Sequence, residues 1–196
     1  MVPLLDSLPI VIGLWVIVYC ADYYLTLHGR SLWLQNAQAF IKFSGSYELN
    51  PYYQKDIDAN QHVSRRFLFM LIFGVVWMVF VYAGTLYLKL QAFFPVAVGV
   101  LVLPEMVVIS THVQNIRLFS AASVAGAVEG QISQARWVSV DGTAWKFGYW
   151  AAIFLTLALL TAQWFFIGGV MSCLWTFVYY QRYSKQLRHH HNSVSG

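Results

Sequence analysis

Long apolar stretches separated by short polar connections dominate the chain. They run from about Leu8 to His28, Phe67 to Leu88, Ala92 to His112 and Trp145 to Tyr183. A helix needs about 20 mostly apolar residues to cross the roughly 30 Å hydrocarbon layer of a bilayer, so each of the first three fits one crossing. The last would extend about 58 Å as a single helix, nearly twice that layer. The pattern therefore predicts a break near Gln163 and Trp164 and five spans, at 8-28, 67-88, 92-112, 145-162 and 165-183. The expected fold class is an all-α, polytopic transmembrane helical bundle. One domain would cover 1-188, followed by a polar tail over 189-196 in which His189, His190 and His191 read as disorder or as an added tag rather than a metal site.

Local signals refine this outline. Asp6 and Ser7 can cap the first helix, with Pro9 in its first turn, where a missing N–H does no harm. The N-terminus lacks the basic region of a secretory signal, so the first helix is expected to be retained. Pro104 cannot bond the Val100 carbonyl, which predicts a kink beside Glu105. Residues 31-43 place Leu32, Trp33, Ala37, Phe40 and Ile41 among polar residues, the pattern of an interfacial helix. Gln114 to Val140 reads as a helical extension of the third span followed by a mobile loop around Gly126 and Gly130. Gly148, Ala152 and Thr156, and again Gly168, Ser172 and Thr176, form small-residue stripes suited to packing the last two spans as a hairpin. The second span carries no ionisable side chain and is expected to be structural or lipid-facing.

Composition agrees with a membrane setting. Of 196 residues 59% are hydrophobic and 10% charged, against about 25% charged in soluble domains. With five spans, eleven of the 12 Lys and Arg fall on one side, leaving Lys89 alone on the other. The positive-inside rule then puts the N-terminus outside and the C-terminus in the cytoplasm, in a bacterial or archaeal cytoplasmic membrane. Because the cations flank apolar spans, the formal charge of +4 orients the chain and does not point to nucleic acid. The partners implied are the lipid bilayer and a membrane-protein partner or a second copy of the chain. Cys20 and Cys173 lie in apolar spans and read as small buried hydrophobes.

Candidate chemistry rests on acids inside the spans. Asp22 lies about 21 Å below the outer end of the first span and Glu105 about 20 Å below that of the third, so the two share a depth. An intramembrane carboxylate costs about 2.5 to 3.5 kcal/mol on insertion scales and usually faces protein or a wet cavity. Thr26 follows Asp22 by four residues and His112 follows Glu105 by seven, so each pair shares a helix face, with Asn115 three further on. His28, six after Asp22, is off that face. Asp22, Glu105 and His112 are thus candidate metal ligands for a divalent cation, Mg, Mn or Zn, with Thr26 and Asn115 as substrate-binding candidates. Without a metal, two neighbouring carboxyl groups would share a proton. A structural reading stands beside this one, in which each acid is satisfied separately by local hydrogen bonds.

The loop Ser46 to Pro51 adds Glu48 and Asn50. Asn50 before Pro51 is a helix start, and Glu48 suits its positive end. Functionally, this turn would fold under the bundle and supply Glu48 as a general base, with Asn50 binding substrate. Asp22-x-x-x-Thr26 followed by Glu48-x-Asn50-Pro51 resembles a small family of uncharacterised polytopic proteins of bacteria and archaea carrying D-x3-T and E-x-N-P. The likeness covers the first quarter of the chain, with a longer spacer between the motifs, and implies no known activity.

No H-E-x-x-H, C-x-x-C, G-x-S-x-G or P-loop motif occurs, which removes the familiar protease, redox, hydrolase and ATPase readings. The leading expectation is a cytoplasm-facing intramembrane pocket, divalent-metal dependent or not, that binds or processes an amphipathic or lipid-like substrate. Whether it is an enzyme is left open. The alternatives are a non-enzymatic accessory subunit of a larger membrane complex and an ion or proton transporter; the uncharged outer halves of the first and third spans count against the transporter.

Overall fold

The computed structural model describes residues 7–43, 46–124 and 126–195. Helix α1 spans Leu8–Leu32; Ser7 enters it in an extended conformation and Pro9 occupies the first turn. Asp6, the other expected cap, lies outside the described residues. A π-helical turn, Trp33–Ala37, continues α1. Strand β1 (Ile41–Phe43) and the short α2 (Gln54–Asp58) follow, then α3 (Arg65–Leu88), α4 (Phe93–Ala121), strand β2 (Ile132–Gln134), α5 (Arg136–Thr161) and α6 (Trp164–Ser195).

The protein is thus mostly helical. Among the described residues, four stretches are long and apolar enough to cross a membrane: Leu8–Ala37, α3, α4 and α5. That is the make-up of an all-α membrane bundle. Helix α3 is the least covered, 22% buried over its apolar window against 44% for α4. Its exposed Phe69, Phe73, Trp77 and Phe80 form a surface that lipid can solvate. The inner side of α3 is held to α1 by rings and one directed bond. Trp15, Tyr19 and Phe67 stack in sequence at 4.8 and 5.5 Å, Tyr23 stacks on Phe67 at 4.4 Å, and the Trp15 indole donates to the Leu71 carbonyl at 3.2 Å.

Backbone contact sets the position of α6. A Cβ on Gly99 of α4 would collide with the Phe165 carbonyl, and one on Gly168 with the Val96 carbonyl. Gly169 likewise meets Leu103 and Phe154. Without a hydrophobic drive between helices in lipid, such close approach supplies the dispersion contact that holds them. The expected stripes are therefore corrected in part. Gly168 packs on α4 rather than across the α5–α6 hairpin, and Ala152 and Thr156 are exposed. The face that α5 buries instead holds Val140, Ala144, Phe147, Ala151, Phe154 and Ala158, alternating steps of four and three residues. That periodicity tracks the 3.6-residue turn, whereas a strict four-residue stripe drifts off the face.

The connections also differ from expectation. In place of a separate interfacial helix over 31-43, α1 runs on through its π turn because nothing near His28 stops it. Trp33 and Ala37 then bury against Phe119 and Ala122 at the end of α4. The Trp33 indole donates to the Ile41 carbonyl at 2.8 Å and turns the chain back into β1. The loop after α4 is pinned by parallel pairing of Ile41 to Ile132 and Phe43 to Gln134, with left-handed turns at Gly126 and Gly130 (φ 76° and 79°). Helix α5 begins at Arg136, well before the apolar block, and ends at Thr161; Ala162, at φ 52°, and Gln163 make the turn into α6. α6 carries on through the histidine run to Ser195, where a separate tail was expected. Helix α4 passes through Pro104 without interruption.

Candidate functional site

The polar centre forms where α1 crosses α4. Asp22 and Thr26 are one turn apart on α1, and the Thr26 hydroxyl donates to the Asp22 carbonyl at 2.9 Å. His112 reaches across from α4, its Nε2 2.9 Å from Thr26 Oγ1 and 3.1 Å from Asp22 Oδ1. A hydroxyl has one hydrogen, and Thr26 has already used it. Thr26 Oγ1 therefore accepts, and Nε2 carries the N–H in this network. His112 is 9% exposed, and its Nδ1 is buried with no hydrogen-bond partner. Glu105, two turns above His112 on the same face, lies in the same cavity wall as Asp22, near enough for the two carboxyl groups to interact electrostatically. Electrostatics does not favour two neighbouring carboxylates, which need a shared proton or a nearby cation.

Glu48 enters from the loop before α2. The Asn50 N–H donates to Glu48 Oε1 at 2.7 Å, and Asn50 Oδ1 accepts from the Tyr52 N–H at 3.1 Å, capping the turn. The turn is anchored below by Gln54, which donates to the Glu48 carbonyl at 3.0 Å, and by Ser46, which links the Glu48 N–H to Asp58. Burial pushes the Glu48 carboxyl up to about 7, helped by the charge of Asp22 and opposed by the Asn50 and Leu49 N–H groups and by His112.

That shift has a testable sign. Glu48 binds its proton more tightly folded than unfolded, so its contribution to stability is complete below about pH 4.5 and is lost as pH rises through about 7. Thermal unfolding in detergent between those limits should show wild type losing stability relative to Glu48→Gln as pH rises. Parallel curves for the two proteins would remove this assignment.

These groups border one cavity of about 350 Å³, walled by α1, α4, α5, α6 and the loop around Glu48. Asp22, Thr26, Glu48, Asn50, Glu105 and His112 all line it. Asn115 does not; it lies beside the Tyr47 hydroxyl. His28 is exposed, away from the cavity. No family model, curated protein or solved structure matches the chain. The likeness of its first quarter to a D-x3-T and E-x-N-P family thus carries no assignment. Among the described residues no group of three or more His, Cys, Asp or Glu is placed to hold a metal ion, so the divalent-cation expectation for Asp22, Glu105 and His112 gains no support.

Sequence reasoning missed several lining residues. Tyr19 lies three residues before Asp22 and four before Tyr23 on α1, a spacing that was legible. Tyr19 meets Tyr53 of the loop, hydroxyl to hydroxyl at 2.5 Å. Lys146 of α5 and Tyr180 of α6 also border the cavity, Lys146 as an exposed residue at its edge. Lys146 reads in sequence as one more flanking cation, because nothing local says that α5 leans over this site.

Proposed function

We propose that this integral membrane protein uses the cavity between α1, α4, α5 and α6 as a cytoplasm-facing site that binds or processes an amphipathic, lipid-like molecule. The observation that carries the reading is the convergence of Asp22, Glu105, Glu48 and His112 on one cavity whose remaining walls are largely apolar. A volume of about 350 Å³ lies within the roughly 300 to 1,000 Å³ usual for small-molecule sites. Mixed walls suit a molecule with a polar head and an apolar body. The cytoplasmic orientation follows from the charge count, with eleven of the 12 Lys and Arg on the side of the Glu48 loop and Lys89 on the other.

In this scheme Asp22, Glu105 and His112 hold the polar group and exchange protons with it, Thr26 and Asn50 add hydrogen bonds, and Glu48 is placed to act as a base. Proton transfer needs a donor and acceptor within hydrogen-bond reach, and the 3.1 Å separation of Asp22 Oδ1 and His112 Nε2 supports that reading. Two features favour a pocket over a transport path. The segments Leu8 to Ala21 and Ala92 to Leu103 hold no charged or amide side chain, and the second is packed backbone to backbone on α6 at Gly99 and Gly168.

The test is native mass spectrometry of protein taken from nanodiscs of phosphatidylethanolamine and phosphatidylglycerol. Wild type should retain a lipid that Asp22→Asn with Glu105→Gln releases, with both proteins equally folded by circular dichroism. Equal retention would end the pocket reading. A stoichiometric protein partner in native membranes, with an unliganded cavity, would favour the accessory-subunit reading.

A further inference from the structure

The cavity is rich in acidic groups and poor in cationic ones. Its lining holds three carboxyl groups, those of Asp22, Glu48 and Glu105, against one Lys at its exposed edge and one imidazole. Two atoms in its wall, Asp22 Oδ1 and His112 Nδ1, are buried with no hydrogen-bond partner, although His112 Nε2 lies 3.1 Å from Asp22 Oδ1. A buried polar atom left unsatisfied is costly, so a donor brought to it is rewarded. Asp22 and Glu105, which line the same space, also gain from any positive charge that enters beside them.

A protonated amine meets each of these demands. It carries a full positive charge and up to three N–H donors, and it has no acceptor to clash with the carboxylates. Tyrosine rings at Tyr19, Tyr23, Tyr53 and Tyr180 border the same space, and such rings attract ammonium groups through their negative faces. An anionic headgroup would instead have to sit against three carboxyl groups, with Lys146 at the edge as its nearest reward. We propose that the cavity selects amphiphiles by a protonated amine headgroup, which lies among Asp22, Glu105, Glu48 and His112 while the apolar body follows the walls.

This proposal rests on the reading of the cavity as an amphiphile site, and the test separates the two. Three probes with the same chain, n-hexylamine hydrochloride, n-hexanol and sodium hexanoate, are titrated at pH 7.5 into full-length protein in a non-ionic detergent. The readout is the shift in unfolding temperature, since a ligand that binds only the folded state raises it by mass action. Hexylammonium should bind at least tenfold more tightly than hexanol, and hexanoate should give no shift. Asp22→Asn should lower the hexylammonium affinity at least tenfold and that of hexanol by less than threefold. Glu48→Gln, which alters a loop rather than a span, should lower it several-fold and serves if Asp22→Asn fails to fold. Equal binding of hexanol and hexylammonium would overturn the amine selectivity and leave the amphiphile site standing. Preference for hexanoate would overturn it in favour of Lys146 as the recognising group. No binding of any probe would remove both readings.

Discussion

Gly168→Leu is expected to prevent α6 from docking, leaving protein that elutes as an expanded or aggregated species in detergent. At Gly168 even one added carbon would overlap the Val96 carbonyl and crowd the Val100 nitrogen and the Gly99 backbone. Overpacking a core usually costs about 1 to 3 kcal/mol because side chains can rotate aside. Here the obstacle is main chain on both sides, which has no rotamer to change. We therefore expect Gly168→Ala to cost at least about 3 kcal/mol, the upper end of that range, and Gly99→Ala to behave alike because its Cβ would strike the Phe165 carbonyl. Gly84→Ala is the control: nothing lies within 4 Å of its would-be Cβ, so it should be neutral or slightly stabilising in a helix. Unfolding temperature and elution profile are the measurements. A Gly168→Ala protein melting within about 2 °C of wild type would show that α4 and α6 do not cross as described, given that 1 kcal/mol moves a domain of this size by about 2 to 4 °C.

His112→Ala has the second largest expected effect, a loss of about 2 kcal/mol together with loss of ligand retention. Two magnitudes bracket it. Interhelical hydrogen bonds inside membranes average about 0.6 kcal/mol, because the alternative state also finds partners. Removing one member of a buried ion pair costs about 3 to 5 kcal/mol, because the other charge is left without compensation. The Asp22 side chain is 22% exposed and that of His112 11%, so the case lies between the two. The same logic makes the effects non-additive. In the Asp22→Asn background, His112→Ala should cost less than half as much, since no unpaired carboxylate remains. Additive losses in that double-mutant cycle would mean that the 3.1 Å contact carries no energy.

Much of the architecture was legible because it depends on quantities local to the chain. Apolar length and low charge marked helices fit to cross a bilayer, and counting the helical rise led to the expectation that Asp22 and Glu105 lie near one another; both line one cavity. Helical spacing likewise set Thr26 on the face of Asp22 and His112 on that of Glu105. The connections were less legible. Residues 31-43 have the composition of an amphipathic helix, yet Ile41–Phe43 become a strand because a partner, Ile132–Gln134, arrives from a loop about 90 residues away. The small-residue stripes misled for a similar reason: spacing shows that a face is small, not which helix will meet it.

The sequence by itself determined the class of protein and which stretches are apolar enough to form its long helices, since length and hydropathy need no partner. Only the tertiary structure decided which helices are neighbours and which way the shared faces turn. Glu48 reaches the centre because Gln54, Ser46 and Asp58 fold its loop beneath the bundle. Lys146 and Tyr180 reach the cavity edge as parts of an α5–α6 pair whose α6 sits where the glycines of α4 and α6 let two backbones touch. Azimuth and pairing are non-local quantities, set by the best simultaneous fit of all the helices, and no window of the chain contains them.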